Sequence, residues 1–479
     1  MLSKKTKTFF LSSLFFSSIY FSQAHNVSEG YQKPTDPIVV QNLENWQDLK
    51  FGLFMHWGTY SQWGIVESWS LCPEDESWTQ RKPEHGKSYN EYVKNYENLQ
   101  TTFNPAQFNP QRWADATKKA GMKYVVFTTK HHDGFAMFDT QQSDYKITSS
   151  ETPFSKNPKA DVTKEIFNTF RNEGFKIGAY FSKPDWHSDD YWWPYFPPKD
   201  RNVNYDPKKY PERWENFKKF TFNQLNEITS NYGKIDILWL DGGWVRPFKT
   251  IDPKVEWQRT IKVEQDIDMD KIGTMARKNQ PGIIIVDRTV PGKWENYVTP
   301  EQAVPESVIS IPWESCITMG DSFSYVPNDN YKSSQKIIET LIKIISRGGN
   351  YLMNIAPGPN GDYDALVYER LKEISGWMEK NQSAVFATRA IAPYHEGNFY
   401  YTQSKDGKTV NIFHLDEKIN YQAPSTLSFT FPENFKPKSL KVLGVKNKIK
   451  WEKSGNSIEI KLPEERFQLK YTTVIQISE

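Results

Sequence analysis

The sequence contains only two cysteines, Cys72 and Cys316, among 479 residues. Two thiols are too few for a cysteine-based metal cluster or a disulfide scaffold, although one disulfide could form in an oxidising compartment. Charge is nearly balanced, with 60 basic and 58 acidic residues. A formal net charge of +2 argues against a role on nucleic acids or on anionic membrane surfaces. The sequence also has no internal repeat and no long low-complexity segment.

Several common catalytic motifs are missing. Gly86-Lys87-Ser88 and Gly407-Lys408-Thr409 resemble the end of a phosphate-binding loop, but Arg81 and Thr402 stand where its first glycine is required. Neither a GxSxG nucleophile elbow nor a GxGxxG dinucleotide motif occurs. The sequence therefore gives no support for nucleotide binding or serine-hydrolase chemistry.

The one apolar run of note is N-terminal, and it has the pattern of a secretory signal peptide. Lys4, Lys5 and Lys7 precede the apolar stretch Phe9–Phe21, and small residues surround a cleavage point after Ala24. This stretch is too short to span a membrane as a helix. Removing the peptide subtracts three lysines and no acid, so the formal charge falls from +2 to −1. We expect export to the periplasm or the extracellular space.

Aromatic residues are abundant, at 15% of the chain with 17 tryptophans and 25 tyrosines. Carbohydrate sites use such residues because the C–H faces of sugars lie on aromatic rings. An aromatic-rich core is the simpler explanation of the composition alone. The positions of individual residues have to decide between the two.

Short β-rich runs alternate with helical segments over most of the chain. The runs are Phe51–Trp57, Tyr124–Thr129, Phe175–Phe181, Ile235–Leu240, Ile283–Val286, Val308–Ile311 and Tyr351–Ile355. Helices between them include Asn109–Ala120, Val162–Glu173, Pro211–Tyr232 and Ser333–Ser346. Repeated β-then-α units predict a parallel sheet, and their number favours a TIM-type (β/α)8-like barrel of the α/β class. A doubly wound open sheet is the alternative.

The pattern changes beyond residue 390. Six short runs alternate polar and apolar residues: Phe399–Gln403, Val410–His414, Ser425–Phe431, Ser439–Leu443, Ser457–Lys461 and Thr472–Ile477. This pattern predicts a small all-β sandwich. The expected organisation is a signal peptide at 1–24, a β/α-barrel catalytic domain at 25–388 and a C-terminal β-sandwich domain at 389–479.

Asp241 ends the apolar run Ile235–Asp241 and is followed directly by Gly242. Side chains alternate along a strand, so Trp239 and Asp241 share one face. The catalytic groups of a β/α barrel lie at the carboxyl ends of its strands, which makes Asp241 a candidate catalytic residue. An aspartate that caps the following turn or helix is the alternative.

Polar residues also follow the first two runs. His56 ends the first, and the cluster Lys130–Asp133, which contains His131 and His132, follows the second. Buried polar groups cost free energy unless they are paired, so this cluster favours a site for sugar hydroxyls. Metal binding is an alternative, but adjacent strand residues point to opposite faces and no HxH or HExxH spacing occurs. We therefore predict no metal and no cofactor.

The third run, which contains Tyr180, leads into a loop rich in aromatic residues and proline, Tyr191–Pro198. This loop could stack on sugar rings outside the main pocket. It could equally pack against the rim of the barrel. The sequence does not separate these two alternatives.

A retaining glycosidase needs a second carboxyl about 5–5.5 Å from the first. The chain after the fifth run offers four candidates: Glu295, Glu301, Glu306 and Glu314. Sequence spacing does not choose among them.

Together these segments resemble the family 29 glycoside hydrolases, which are retaining α-L-fucosidases. The resemblance covers nearly the whole predicted barrel and depends most on Lys130-His131-His132-Asp133-Gly134-Phe135 and Leu238-Trp239-Leu240-Asp241-Gly242-Gly243-Trp244 in this order. The other matching segments are Phe51–Tyr60, Glu67–Trp69, Tyr180–His187, Thr299–Gln302, Trp313–Cys316 and Gly348–Ile355. The family often has a second tyrosine or a histidine where this chain has Phe181.

The resemblance implies a role for each residue at the predicted site. Asp241 would be the nucleophile and Glu301 the acid/base, with Glu314 as second choice and Glu295 as third. The remaining residues would bind the sugar: His56, Glu67, Trp69, His131, His132, Tyr180, Trp239 and Arg288. The three histidines and Arg288 are expected to donate hydrogen bonds to the hydroxyls.

The implied function is exo-acting hydrolysis of terminal α-L-fucosyl residues from a fucosylated oligosaccharide or polysaccharide, through a covalent glycosyl-enzyme intermediate. Two alternatives stay open. The same barrel could act on a modified fucosyl residue, for example a sulfated one, which basic residues at the pocket mouth would favour. The protein could instead bind glycans without turning them over.

Overall fold

The computed structural model describes residues 30–73, 79–416 and 421–479. The predicted signal peptide lies outside these residues. The described part contains seven parallel strands in one sheet: β1 Phe51–Met55, β2 Tyr124–Lys130, β3 Lys176–Ser182, β4 Ile237–Asp241, β5 Ile284–Asp287, β6 Glu314–Thr318 and β7 Asn350–Asn354. Its α-helices are α1 Pro37–Gln47, α2 Tyr89–Glu97, α3 Pro110–Lys119, α4 Val162–Asn172, α5 Pro211–Asn231, α6 Met269–Asn279, α7 Ser334–Ser346 and α8 Ala365–Val385.

The sheet curls into a barrel in the order β5-β4-β3-β2-β1-β7-β6. An irregular segment, residues 294–302, fills the place between β5 and β6. On one side of this segment the amide of Asn296 donates to the carbonyl of Ile285 at 2.9 Å. On the other side the amide of Glu314 donates to the carbonyl of Val298 at 3.0 Å. The predicted (β/α)8-like barrel is confirmed, with one regular strand replaced by this closing segment.

Helix α1 plugs the amino end of the barrel. Asp36 caps its first turn by accepting a hydrogen bond from the amide of Ile38 at 2.8 Å. Leu43 and Trp46 are buried in the apolar cluster inside the barrel, and the ring of Trp46 stacks on Tyr297 with centroids 4.1 Å apart. The carboxyl ends of the strands therefore form the end that a ligand can reach.

One predicted strand is wrong. Val308–Ile311 is irregular, and the sixth strand is Glu314–Thr318 instead. Pro305 and Pro312 flank the predicted run, and proline cannot donate a hydrogen bond to a sheet. The true strand was missed because it begins with Glu314, a residue type that is rarely buried unless it has partners.

The C-terminal part forms two antiparallel sheets, as predicted. Their strands are β8 Thr388–Glu396, β9 Phe399–Ser404, β10 Thr409–His414, β11 Thr426–Thr430, β12 Ser439–Val442, β13 Lys450–Ser454, β14 Ser457–Lys461 and β15 Thr473–Ser478. The first sheet has the order β12-β15-β10-β9-β8 and the second β11-β14-β13. Tyr401 and Ile412 of the first sheet share one buried cluster with Phe429 and Ile460 of the second, so the two sheets enclose a core of their own.

Two further sequence expectations concern cysteine and membranes. Cys72 and Cys316 are both buried as thiols and are not joined to each other by a disulfide. Within residues 30–73, 79–416 and 421–479, no helix combines the length and the apolar character needed to cross a membrane.

Candidate active site

The carboxyl ends of the barrel strands bring the predicted site residues together. His56 follows β1, His131 and His132 follow β2, Tyr180 lies in β3, Trp239 and Asp241 lie in β4, Arg288 follows β5, and Glu301 lies on the closing segment. Ring contacts, hydrogen bonds and ion pairs join all eight side chains into one cluster. Residues that are far apart in the sequence thus form one pocket.

Asp241 occupies the last position of β4, and its side chain is 15% exposed. The turn behind it requires glycine, because Gly242 has a φ of +83° and a Cβ there would lie 2.1 Å from Cδ of Pro184. Oδ2 of Asp241 accepts a hydrogen bond from the hydroxyl of Tyr180 at 2.8 Å. Oδ1 accepts one from Nη1 of Arg288 at 3.2 Å.

The surroundings of Asp241 favour its charged form. Burial alone would raise the pKa of Asp241, because a carboxylate loses water there. The positive charge of Arg288, the amide of Gly242 and the hydroxyl of Tyr180 outweigh burial, and together they hold this pKa well below its usual range. Asp241 is therefore an ionised carboxylate at neutral pH, as a nucleophile must be.

Arg288 bridges the two carboxylates that the sequence analysis selected. Its Nη1 lies 3.2 Å from Asp241, and its Nη2 makes a close ion pair with Oε2 of Glu301. Nε donates to Oγ1 of Thr299 at 3.2 Å, and the guanidinium lies 5.2 Å from the ring centroid of Trp239. Glu301 is 34% exposed, more than twice the 15% of Asp241. One carboxylate thus sits deep in the pocket and the other faces its mouth.

The second and third choices for the acid lie elsewhere. Glu314 is buried inside the barrel, where its carboxylate accepts hydrogen bonds from the hydroxyls of Tyr124 and Tyr297. Burial raises the pKa of Glu314 to about 7 and that of Glu295 to about 8. In the described chain no hydrogen bond or ion pair joins either group to Arg288, which Glu301 shares with Asp241. The geometry favours Glu301 over both.

In two pocket histidines, a neighbouring side chain determines which ring nitrogen carries the proton. Nδ1 of His56 lies 2.8 Å from Oδ1 of Asn354, whose own amide group donates to a backbone carbonyl at 2.7 Å. Nδ1 of His132 lies 2.6 Å from Oγ of Ser182, and the hydroxyl of Ser182 donates its own hydrogen bond to a backbone carbonyl at 2.8 Å. Both partners can therefore only accept from the ring. His56 and His132 carry their proton on Nδ1 and present Nε2 to the pocket as an acceptor.

All three histidines of the pocket are neutral. Burial lowers the pKa of His56 to about 4 and that of His132 to about 3. Burial likewise lowers the pKa of His131, whose Nδ1 contacts Oγ of Ser68 closely, far below its usual value. The expectation that histidines donate to the sugar is therefore reversed for His56 and His132, since hydroxyl groups would donate to them.

The cluster Lys130–Asp133 divides between pocket and scaffold. The register of β2 shifts at its end, so strict alternation stops there, and the rings of the two histidines have centroids 4.1 Å apart. Lys130 is buried away from them and pairs with Asp185 at 2.9 Å. Asp133 accepts a hydrogen bond from the hydroxyl of Tyr96 at 2.8 Å. The two charged residues are thus satisfied structural groups.

The two pocket histidines and Asp241 lie close enough together to be considered as metal ligands. His131, His132 and Asp241 each offer one ligand atom, and these atoms lie within 4.8 Å of one another. The expectation that the adjacent histidines point apart is wrong. The guanidinium of Arg288, 3.2 Å from Asp241, places a positive charge beside this group of atoms. Electrostatics therefore favours a polar organic ligand over a metal ion.

Glu67 and Trp69 come from the loop after β1. Glu67 is buried and accepts a hydrogen bond from the amide of Ser324 at 2.7 Å. Burial, aided by the negative charges of the two pocket carboxylates, raises the pKa of Glu67 to about 8. Trp69 meets the ring of His132 edge-on with centroids 5.2 Å apart. Trp69 thus contacts a pocket histidine, and Glu67 is a buried carboxyl group of the same loop.

Sequence reasoning missed several residues of the same pocket. Phe323 packs against His56 with ring centroids 5.0 Å apart and provides an apolar wall. It lies on an irregular loop after β6, where no periodic pattern marks it. Asn354 and Ser182 orient the histidines. Both lie in recognisable strands, so their position at the strand ends was the available signal.

The pocket lies at the carboxyl end of a β/α barrel and holds two carboxylates bridged by an arginine. Its walls carry aromatic rings and groups that accept hydrogen bonds from hydroxyls. Such a site is that of a glycoside hydrolase. The family model for alpha-L-fucosidases matches residues 18–383. The chain therefore belongs to the alpha-L-fucosidase family, glycoside hydrolase family 29.

Similar proteins support this assignment. The tissue alpha-L-fucosidase of Rattus norvegicus is 26% identical over 453 residues, which cover 90% of this chain and 88% of the rat protein. Alpha-L-fucosidase isoenzyme 1 from Paenibacillus thiaminolyticus is 26% identical and superposes with a TM-score of 0.73. The match covers 92% of this chain and 99% of the Paenibacillus chain. A GH29 alpha-L-fucosidase from Bacteroides thetaiotaomicron, solved as a trapped covalent intermediate, shares the fold with a TM-score of 0.70 at 22% identity over 94% of this chain and 97% of its own.

Proposed function

We propose that the protein is an exo-acting α-L-fucosidase that removes terminal α-L-fucosyl residues from glycans with retention of configuration. The observation that carries this proposal is the bridge of Arg288 between an ionised, largely buried Asp241 and a more exposed Glu301. A nucleophile in the depth of the pocket and an acid/base at its mouth suit an enzyme that cleaves a terminal sugar. The covalent intermediate of the Bacteroides thetaiotaomicron relative supports a double displacement.

In the first step, Asp241 attacks the anomeric carbon while the bond to the leaving oxygen breaks. Glu301 gives its proton to that oxygen, and a covalent fucosyl-enzyme forms. In the second step, Glu301, now ionised, takes a proton from water. That water attacks the anomeric carbon and releases fucose together with the regenerated Asp241 carboxylate.

The contact between Arg288 and Glu301 has a consequence for this cycle. The close ion pair turns the carboxylate of Glu301 towards Arg288, whereas the first step requires it to face the leaving oxygen. We infer that a bound glycan, seated between Glu301 and the depth of the pocket, separates the two groups before the bond is cleaved.

The walls of the pocket suit fucose, which combines hydroxyl groups with a methyl group. Hydroxyls of the sugar would donate to Nε2 of His56 and of His132. The aromatic rings of Phe323 and Trp239 offer apolar surface for the methyl group and the C–H faces. As oxocarbenium character develops at the anomeric carbon, the negative charge of Asp241 stabilises it.

The first experiment is release of nitrophenol from 4-nitrophenyl α-L-fucoside by the wild type and by Asp241→Asn. We expect release by the wild type and nearly none by the variant. Glu301→Ala should be slow on natural linkages and should recover with azide or an activated leaving group, whereas Glu314→Gln should not show azide rescue. Full activity of Glu301→Ala on a natural linkage would overturn its assignment. Glycan binding without any turnover would point to a binding protein.

A further inference from the structure

Exposed aromatic side chains are concentrated on the catalytic face. The described chain exposes seven large hydrophobic side chains. Three of them, Tyr195, Tyr210 and Phe248, belong to loops that leave the carboxyl ends of β3 and β4. Single exposed apolar residues are common on proteins, but a group of them beside a binding pocket indicates a contact surface.

The loop that carries Tyr195 is held in one conformation. Asn204 accepts a hydrogen bond from the amide of Trp193 at 2.8 Å and donates to the carbonyls of Trp193 and Phe196 at 2.9 and 2.6 Å. The guanidinium of Arg213 lies 4.1 Å from the ring centroid of Trp193. Pro194, Pro197 and Pro198 restrict the backbone further. The loop is therefore preorganised, which lowers the entropy cost of binding.

Tyr195 presents an open ring on this support. Its side chain is 72% exposed. The ring stacks on Trp193 with centroids 5.0 Å apart and an interplanar angle of 27°. Trp193 itself packs against the main hydrophobic core. A ring that is fixed from one side and open to solvent is the geometry on which the C–H face of a pyranose stacks.

The same loop connects this ring to the catalytic pocket. Trp186 contacts His132 with ring centroids 5.1 Å apart, and Trp192 stacks on Trp186 at 5.0 Å. His132 in turn lies 3.9 Å from Asp241. Trp193, the support of Tyr195, follows Trp192 directly in the chain, so the loop that contacts His132 also carries the exposed ring.

We propose that Tyr195, supported by Trp193, is a stacking platform for a neutral pyranose of the aglycone, beyond the sugar that carries the cleaved bond. This inference rests on the proposed function, because it assigns the enzyme an extended fucosylated glycan as its substrate. A short or aryl fucoside would not reach the platform. An extended glycan would gain affinity from it without any change in the chemistry at Asp241.

The test compares Tyr195→Ala with wild type on 4-nitrophenyl α-L-fucoside and on fucosylated oligosaccharides of increasing length. We expect unchanged kcat and KM on the aryl fucoside. On the longest oligosaccharides KM should rise about threefold to tenfold, since one stacking contact has that effect on affinity. Tyr195→Phe should behave like wild type. Phe467→Ala is the matched control, because Phe467 is 71% exposed but lies in the β-sandwich part.

Two results would overturn the platform: equal KM values for Tyr195→Ala and wild type at every length, or an equal rise in Phe467→Ala. Failure of the proposed function has a different signature, namely that wild type releases no nitrophenol. In that event calorimetric titration of the same oligosaccharides into wild type and Tyr195→Ala still tests the platform. Equal affinities would then refute it, and weaker binding by the variant would support it.

Discussion

Replacement of Arg288 by methionine removes the charge that keeps Asp241 ionised. The two groups lie 3.2 Å apart, with side chains 11% and 15% exposed. At an effective dielectric constant of about 20, two unit charges at this distance interact by about 5 kcal/mol. That energy corresponds to roughly three to four pKa units. Because the amide of Gly242 and the hydroxyl of Tyr180 stay in place, we expect a rise of about two units or more in the pKa of Asp241.

The assay is the pH dependence of kcat/KM on an aryl fucoside. The folded protein holds the pKa of Asp241 below its usual value, so activity is lost only as pH falls through that low pKa. In Arg288→Met the acidic limb should move to higher pH by about two units or more. Arg288→Lys keeps the charge, and its acidic limb should stay closer to that of wild type.

An acidic limb that stays in place in Arg288→Met, while kcat falls, would refute this reasoning. It would mean that Arg288 acts on Glu301 or on the substrate and does not control the ionisation of Asp241. Circular dichroism of the variant checks that the fold is intact before the profiles are compared.

Three further predictions concern a buried acid, a histidine partner and the N-terminus. Burial raises the pKa of Glu314 to about 7, so its stabilising protonation is lost as pH rises towards that value. Urea denaturation should show that the free energy of unfolding of wild type falls by up to about 3 kcal/mol between about pH 5 and pH 8. The fall should be smaller in Glu314→Gln, and an equal fall in this variant would contradict the prediction. Asn354→Asp places a carboxylate beside Nδ1 of His56 and should raise the pKa of that ring from about 4. The KM of the variant should then increase as pH falls below about 7. A KM that does not depend on pH would contradict the assigned tautomer of His56. N-terminal sequencing of the exported protein should begin at His25, and an intact Met1 would contradict the signal peptide.

The barrel was predictable because its strands are short apolar runs separated by helices with clear amphipathic patterns. The predicted strands around Asp241 and His56 are each present within a few residues. The sixth strand was not predictable from such patterns. It carries Glu314, whose burial depends on hydroxyls from Tyr124 and Tyr297, and no local signal reports partners so distant in the chain.

The site divides in the same way. Residues at the ends of strands, such as Asp241 and Arg288, were predictable, because barrel topology brings all strand ends to one rim. The roles of His56 and His132 were not, since the direction of their hydrogen bonds is set by Asn354 and Ser182 from other strands. The register shift at the end of β2 likewise decides which residues of the cluster Lys130–Asp133 enter the pocket.

The most direct test of the account is to trap the covalent intermediate. Incubation with 2-fluoro-fucosyl fluoride slows both steps, because fluorine at C2 destabilises the oxocarbenium-like transition states, while the reactive leaving group lets the first step proceed. Mass spectrometry of the digested protein should place one fluorofucosyl group on Asp241, with no label in Asp241→Asn. A label on another residue would contradict Asp241 as the nucleophile. Enzyme that turns over aryl fucoside and yet first releases the β-anomer of fucose would contradict retention.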